Sequence, residues 1–223
     1  MLRERPADLA RLVEIGRRFY ARGWVLGTSG NFSVVISRRP LRLAITASAA
    51  HKGQLRPADI VQCDEHGPLV ALRASSGKPS AETLLHLEIA RRRGAGAVLH
   101  THSVWTTVLS GRYAADEGLG IEGYEMLKGL QGVRSHEHRE WVPIIPNDQN
   151  MARLAGRVAG TLDEFTDAHA FMLCRHGLYT WGDTLADAER HVEILEFLFE
   201  TIGRTLEMGQ AGQVSRVRPA RPH

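Results

Sequence analysis

The residues of this chain best suited to chemistry are three histidines. His100-Thr101-His102 follows the apolar pair Val98-Leu99, and in a β-strand residues i and i+2 project from the same face. Both imidazoles then point together, with their Cβ atoms about 6–7 Å apart. From there two ring nitrogens can meet one zinc at about 2.0–2.1 Å each. The same pair also suits a solvent-facing strand, and His176 shifts the balance. It stands between the apolar runs 171–174 and 178–181 and precedes Gly177, where a turn histidine can face a pocket. Three imidazoles with a fourth position open describe a catalytic rather than a structural zinc site. Of the 11 histidines, His51, His66, His136, His138 and His223 fall in polar loops or the tail and read as solvated. His86, His169 and His191 read as helix-side or element-end residues.

Three donor-rich loops are candidates for holding an anion. Gly27-Thr28-Ser29-Gly30-Asn31-Phe32-Ser33 offers close backbone approach with Ser29 and Asn31 as side-chain donors. Ser75-Ser76-Gly77-Lys78-Pro79-Ser80 precedes a helix, whose unpaired amides and dipole suit phosphate; Lys78 and Ser80 are its candidates. Thr46-Ala47-Ser48-Ala49-Ala50-His51-Lys52-Gly53 adds Ser48 and Lys52. Each also fits an ordinary turn, but three such loops exceed what one domain usually needs and favour a phosphate cradle. Two carboxylates are candidates for moving protons. Glu82 falls in the first helical turn after Ser80, where stabilisation by the helix dipole is an adequate structural reason for it. Glu125, in Gly123-Tyr124-Glu125-Met126-Leu127-Lys128-Gly129, sits in an apolar setting with few reasons to be charged. Metal chemistry on a ketose needs such a base to remove a proton next to the carbonyl.

The elements that position these residues follow from periodicity. Residues 7–22 form a helix with Leu9, Leu12, Val13, Phe19 and Tyr20 on one side and Gly23 as its stop. Strands are expected over 32–37 and 41–46, and a second hairpin over 60–63 and 69–72. A helix follows over 81–93, with Ser80 as N-cap and Gly94 past its end. Residues 97–103 and 141–145 read as strands, separated by no assigned element. Met151, Leu154, Val158 and Leu162 mark a helix capped near Asn147 or Asp148. Strands over 171–175 and 178–181 flank His176-Gly177, and Ala188, Val192, Leu195, Phe199, Ile202 and Leu206 make one helical stripe. Short strands arriving in hairpins rather than in regular crossovers point to an α/β sandwich with a largely antiparallel sheet. Residues 1–208 read as one catalytic domain, and 209–223, without periodicity, as a mobile tail.

Composition narrows the partners. A chain of 223 residues, 43% hydrophobic, is long enough for one α/β core. No run of 18 apolar residues exists, so no membrane span is expected, and the N-terminus lacks the apolar segment of a signal peptide. Cys63 and Cys174 lie in apolar stretches and read as buried thiols of a reducing, cytoplasmic setting. The sequence pI of about 9.1 invites a nucleic-acid reading. The formal net charge is only +3, however, and part of it is Arg216, Arg218 and Arg221 in the tail. No basic stripe interleaved with aromatics exists, so an anionic small substrate fits better than nucleic acid. Trp105, Tyr113, Tyr124 and Trp141 are possible pocket walls that fit a buried core better.

Taken together, Gly30-Asn31-Phe32-Ser33, Lys78-Pro79-Ser80-Ala81-Glu82, His100-Thr101-His102 and Arg175-His176-Gly177, in this order, resemble the class II aldolase/adducin-like family. The resemblance covers most of residues 7–206 and implies an α/β/α three-layer sandwich around a mainly antiparallel sheet. It further implies a homo-oligomer, a tetramer with active sites between subunits, acting on a phosphorylated ketose. It would make His100, His102 and His176 the ligands of one Zn2+ per subunit and place Asn31, Ser48 and Ser80 at the phosphate. The stretches 78–86, 51–55 and 124–129 carry a likeness to the family's dehydratases, in which Glu125 would be the acid–base residue, with Glu82 second. Aldolases of the family carry a carboxylate at the Glu82 position for the same purpose. The adducin branch is non-catalytic, but a scaffold has no need of three histidines and two carboxylates. Relatives often read Ser-Gly where this chain reads Ser48-Ala49; alanine keeps the amide donor if its backbone can take the required conformation.

Overall fold

The computed structural model describes residues 6–64, 66–68, 77–209, 214–215 and 218. Helix α1 (Pro6–Ala21) buries Leu12, Val13, Ile15 and Phe19, and Gly23 at φ 76° turns the chain out of it. Strands β1 (Asn31–Arg38) and β2 (Leu41–Thr46) form a hairpin, extended by β3 (Ile60–Asp64) and β4 (Gly67–Pro68). The strand expected over 69–72 lies outside the described residues, as do Ser75 and Ser76. Helix α2 (Thr83–Arg93) ends at Gly94 in the left-handed region. Its N-cap is Glu82, two residues past the expected Ser80, although the Ser80 hydroxyl still accepts the Glu82 amide at 3.3 Å.

Strand β5 (Ala97–Thr101) is shorter than expected. His102 leaves the sheet because Ser103 caps helix α3 (Val104–Arg112), its hydroxyl accepting the Thr106 amide. That helix gave no sequence signal because Val104 and Val108 stay exposed and blur its apolar face. Strands β6 (Gly118–Ile121) and β7 (Glu140–Ile145) follow, then α4 (Met151–Glu164). The α4 cap is Asn150, not Asn147 or Asp148, because its side chain accepts the Arg153 amide while Asp148 accepts the amide of Asn150. Strands β8 (Ala170–Leu173) and β9 (Gly177–Gly182) precede α5 (Leu185–Glu207), opened by a reciprocal Thr184–Asp187 cap. Two residues of the segment read as a tail, Val214–Ser215, form an edge strand β10 on β6, and Arg218 bonds Glu117 and Glu164. Arg216, Arg221 and His223 lie outside the described residues.

The sheet runs β10-β6-β7-β8-β9-β5-β1-β2-β3-β4, with every pair antiparallel except β7–β8. Helices α1, α3 and α5 cover one face and α2 and α4 the other, giving the expected three layers. Alternation along β5 sends Ala97 and Leu99 into the α1/α5 layer and Val98 toward α2 and α4. His100 therefore shares the face of Val98. Tyr113, Trp105 and Tyr124 belong to the core around α5 rather than to a pocket wall, and Trp141 is buried on β7. Cys63 is buried as expected, whereas Cys174 is only half-buried, because β8 ends before it. Among the described residues, no helix is long and apolar enough to cross a membrane.

Candidate metal centre

The middle of the sheet brings the three histidines together. His100 is wholly buried on β5, and its Nδ1–H donates to the Leu178 carbonyl at 2.8 Å. That bond fixes the tautomer and leaves Nε2 as a lone pair aimed away from the strand. His102 is held just beyond the strand by its amide, which donates to Trp24 O at 2.8 Å. His176 sits in the β8–β9 turn, reached through Arg175 at φ 52°. Ring centroids lie 4.5 Å apart for His100–His102 and His102–His176 and 5.1 Å apart for His100–His176. One nitrogen from each ring falls within 4.8 Å of the others. Burial holds all three below the ordinary histidine pKa, His102 at about 4 and His100 well below its usual value, with mutual repulsion adding to the effect at His100 and His102. Neutral imidazoles converging on one point are a donor set that fits a divalent metal with one position left open.

Glu82 is the carboxylate at this point. Its Oε2 lies 3.5 Å from His100 Nε2 and its Oε1 lies 3.4 Å from His176 Nε2. The placement is enforced by a chain of bonds that starts in the core. His86 is fully buried with its pKa driven down to about 3 by burial, so its ring is neutral. The Ser33 hydroxyl donates to its Nδ1 at 2.8 Å, and its Nε2–H donates to Asn31 Oδ1. Asn31, so oriented, donates its amide to Glu82 Oε2 at 2.6 Å and to Ser80 Oγ at 3.1 Å. His86 thus orients the asparagine that orients Glu82, a role its helix-side position in sequence did not reveal. Tyr179 on β9 stacks on His100 at 3.9 Å, and burial beside Glu82 holds its phenol proton well above the ordinary range. On the opposite face of β5, the Thr101 hydroxyl donates to buried Glu196 of α5 at 2.7 Å, pinning the residue between the two histidines. Neither Tyr179 nor Glu196 was separable in sequence from ordinary strand and helix residues.

Two glycines make the approach possible. A Cβ at Gly30, which has φ 71°, would lie 2.6 Å from the His100 carbonyl oxygen. One at Gly177 would lie 2.0 Å from the Thr101 carbonyl oxygen and 3.0 Å from His100 Cε1. Backbone atoms cannot yield as side chains do, so Gly177→Ala is expected to cost on the order of 3 kcal/mol. For a chain of this size that lowers Tm by about 6–12 °C. Thermal denaturation checks it; an unchanged Tm would show that β5 and β9 separate easily here.

The three donor-rich loops meet. Lys52 is buried and donates to Thr28 O at 3.2 Å and Ala50 O at 2.8 Å, joining the first loop to the third. The Ser48 amide donates to Lys78 O at 2.8 Å, joining the third loop to the second, and the Asn31–Ser80 bond closes the set. Ala49 takes φ 59°, a left-handed conformation that favours glycine. Ser48 and Lys78 are exposed and Ser29 is half-buried, its hydroxyl on Leu26 O. Glu125 is not brought to the histidines. It stands on a 3-10 turn (Glu125–Gly129), 71% exposed, paired with Lys128 and facing His136. His138 and His169, read as solvated and element-end residues, instead flank Glu140, which is only 1% exposed.

Residues 10–202 match the model of the Class II Aldolase and Adducin N-terminal domain. The chain is 48% identical over 193 residues to the methylthioribulose-1-phosphate dehydratase of Methylococcus capsulatus, covering 86% of this chain and 90% of that protein. It is 46% identical over 190 residues to the methylthioribulose-1-phosphate dehydratase of Pseudomonas syringae pv. tomato, covering 85% of this chain and 90% of that one. The fold is shared with the crystal structure of L-fuculose-1-phosphate aldolase from Thermus thermophilus, at TM-score 0.69 and 24% identity. That match spans 92% of this chain and 99% of the aldolase.

Proposed function

Because the chain belongs to the class II aldolase and adducin family, we propose that it is a zinc-dependent dehydratase of methionine salvage. It converts 5-methylthioribulose 1-phosphate to 2,3-diketo-5-methylthiopentyl 1-phosphate and water. The observation that carries this reading is Glu82 held against His100 and His176 beside a three-loop cradle of phosphate-binding character. The names of the relatives at 48% and 46% identity support the choice of substrate.

His100, His102 and His176 would hold the zinc, which when bound would supply Lewis-acid polarisation that acidifies the C–H bond at C3. Glu82, oriented by Asn31, takes that proton. Glu125 protonates the hydroxyl leaving C4, and the resulting enol tautomerises to the diketone. The exposure of Glu125 on its own subunit fits a site completed by a neighbouring copy, as in a tetramer with active sites between subunits. Ser29, Ser48, Lys52, Lys78 and Ser80 hold the phosphate, and Asn31 links that cradle to Glu82. The enzyme acts in the cytoplasm.

Lys52 gives this reading a pH signature. Burial lowers its pKa to about 8, against 10.5 for an ordinary lysine. Below pH 8 the ammonium is present to meet the phosphate; above it the charge is lost. KM is therefore expected to rise about tenfold between pH 7 and 9.5, the worth of one charge-assisted hydrogen bond. Lys52→Arg, charged throughout, flattens that limb. A wild-type KM independent of pH over this range would remove Lys52 from the phosphate site.

A second reading, aldol cleavage of a phosphorylated deoxyhexulose or pentulose, is favoured by one observation: Glu82 lies against His100 and His176, where the family resemblance implies the acid–base carboxylate of an aldolase. Turnover of 5-methylthioribulose 1-phosphate and L-fuculose 1-phosphate by zinc-loaded protein decides between them. The dehydratase reading expects kcat/KM to favour the former by orders of magnitude; turnover confined to the latter replaces it with the aldolase reading.

A further inference from the structure

We propose that His138, Glu140 and His169 form a second divalent-metal site, separate from the three histidines described above. Glu140 opens β7 and is 1% exposed, and its Oε2 lies 2.9 Å from both His138 Nε2 and His169 Nδ1. Its other oxygen accepts the His169 backbone amide at 2.9 Å, so the carboxylate cannot rotate away. The three donor atoms fall within 4.8 Å of one another. Two imidazoles and one carboxylate with positions left open are a donor set suited to zinc and other first-row divalent ions.

Both ring nitrogens of His169 face oxygen acceptors. Its Nε2 lies 2.8 Å from the Gln131 carbonyl oxygen, which can only accept. A proton therefore sits on Nε2; Nδ1 faces Glu140 Oε2, a second acceptor, which against the opposing effect of burial holds the ring above the ordinary histidine pKa, and a divalent cation would take the place of the Nδ1 proton. A metal-binding histidine is held in this way, its outer N–H given to a backbone carbonyl. The same device sets His100 through Leu178. His191 is not a ligand: it donates Nδ1–H to Trp181 O at 2.7 Å and accepts the Gln131 amide on Nε2 at 3.0 Å. It braces the backbone that orients His169.

The cluster lies on a cleft of about 780 Å³ lined also by Arg93, Arg134, Asp183 and His191, so an ion can enter from solvent. A metal here ties the segment from Gln131 to His138 onto the sheet. That segment continues directly from the turn that carries Glu125.

The test uses the full-length protein stripped of metal and titrated with Co2+, following visible absorption and the metal retained per chain after desalting. The expected result is two Co2+ in the wild type, one in His100→Ala, one in His138→Ala and none in the double variant. His138 is partly exposed, so its removal leaves the Glu140–His169 pair intact; His138→Gln repeats the measurement if the alanine variant is misfolded by circular dichroism. A wild type that retains one Co2+, lost in His100→Ala and kept in His138→Ala, overturns the second site. One Co2+ lost in His138→Ala and kept in His100→Ala supports the second site while removing the three-histidine centre, so the two assignments fail separately.

Discussion

His100→Ala is expected to abolish turnover and strip the metal from the three-histidine centre. A metal-bound Lewis acid contributes several kcal/mol to transition-state stabilisation, and each ~1.36 kcal/mol is tenfold in rate. The loss should therefore reach about 1,000-fold or more. His100 is wholly buried, so its truncation also leaves the Leu178 carbonyl without its donor and lowers stability by about 1–3 kcal/mol. His102→Ala separates the two effects. His102 is only half-buried, and its anchoring bond to Trp24 is made by the backbone, which the substitution keeps. This variant should melt near the wild-type temperature and still lose the metal and the activity. Metal content by mass spectrometry, read beside kcat/KM, checks both. Full activity in metal-free His102→Ala would show that the imidazoles serve the fold alone.

The second large effect is expected of Glu82→Gln. The amide keeps the shape and can still accept the Asn31 Nδ2 bond through its oxygen, but it cannot take a proton. General-base removal costs about 100- to 10,000-fold, and the loss should fall on kcat, with KM and metal content little changed. His86→Ala acts on the same step at one remove. Without the ring, Asn31 is free to rotate and Glu82 loses its orientation, so kcat should drop by a smaller factor while the metal stays bound. Should Glu82→Gln retain full kcat while Glu125→Gln loses it, the proton transfer at C3 belongs to Glu125 alone.

What the sequence disclosed and what it withheld have physical reasons. His100 and His102 were legible because a period of two is a local property of strands, and it survives even though His102 lies one residue beyond β5. The three loops were legible by their donor-rich composition; that Lys52 ties two of them together depends on a contact between positions 52 and 28, which no local pattern encodes. The His86–Asn31–Glu82 relay was hidden for the same reason, as were the Tyr179 stack on His100 and the Glu140 cluster. Helix α3 was missed because its apolar residues are split between core and solvent. Strand β6, Gly118-Leu119-Gly120-Ile121, was missed because its glycines erase alternation, and Gly118 is needed where a Cβ would fall 2.3 Å from the Trp141 ring. Glu125 was singled out because its neighbours in sequence are apolar, yet its neighbours in space on this subunit are Lys128 and His136.

The most direct test of the account is the mass of the product formed from 5-methylthioribulose 1-phosphate by the zinc-loaded protein. A single phosphorylated diketone is expected, one water lighter than the substrate with its carbon chain intact, formed at least about 100-fold more slowly by Glu82→Gln under the same conditions. Two shorter fragments from cleavage between C3 and C4 would contradict it and assign the same site to an aldolase.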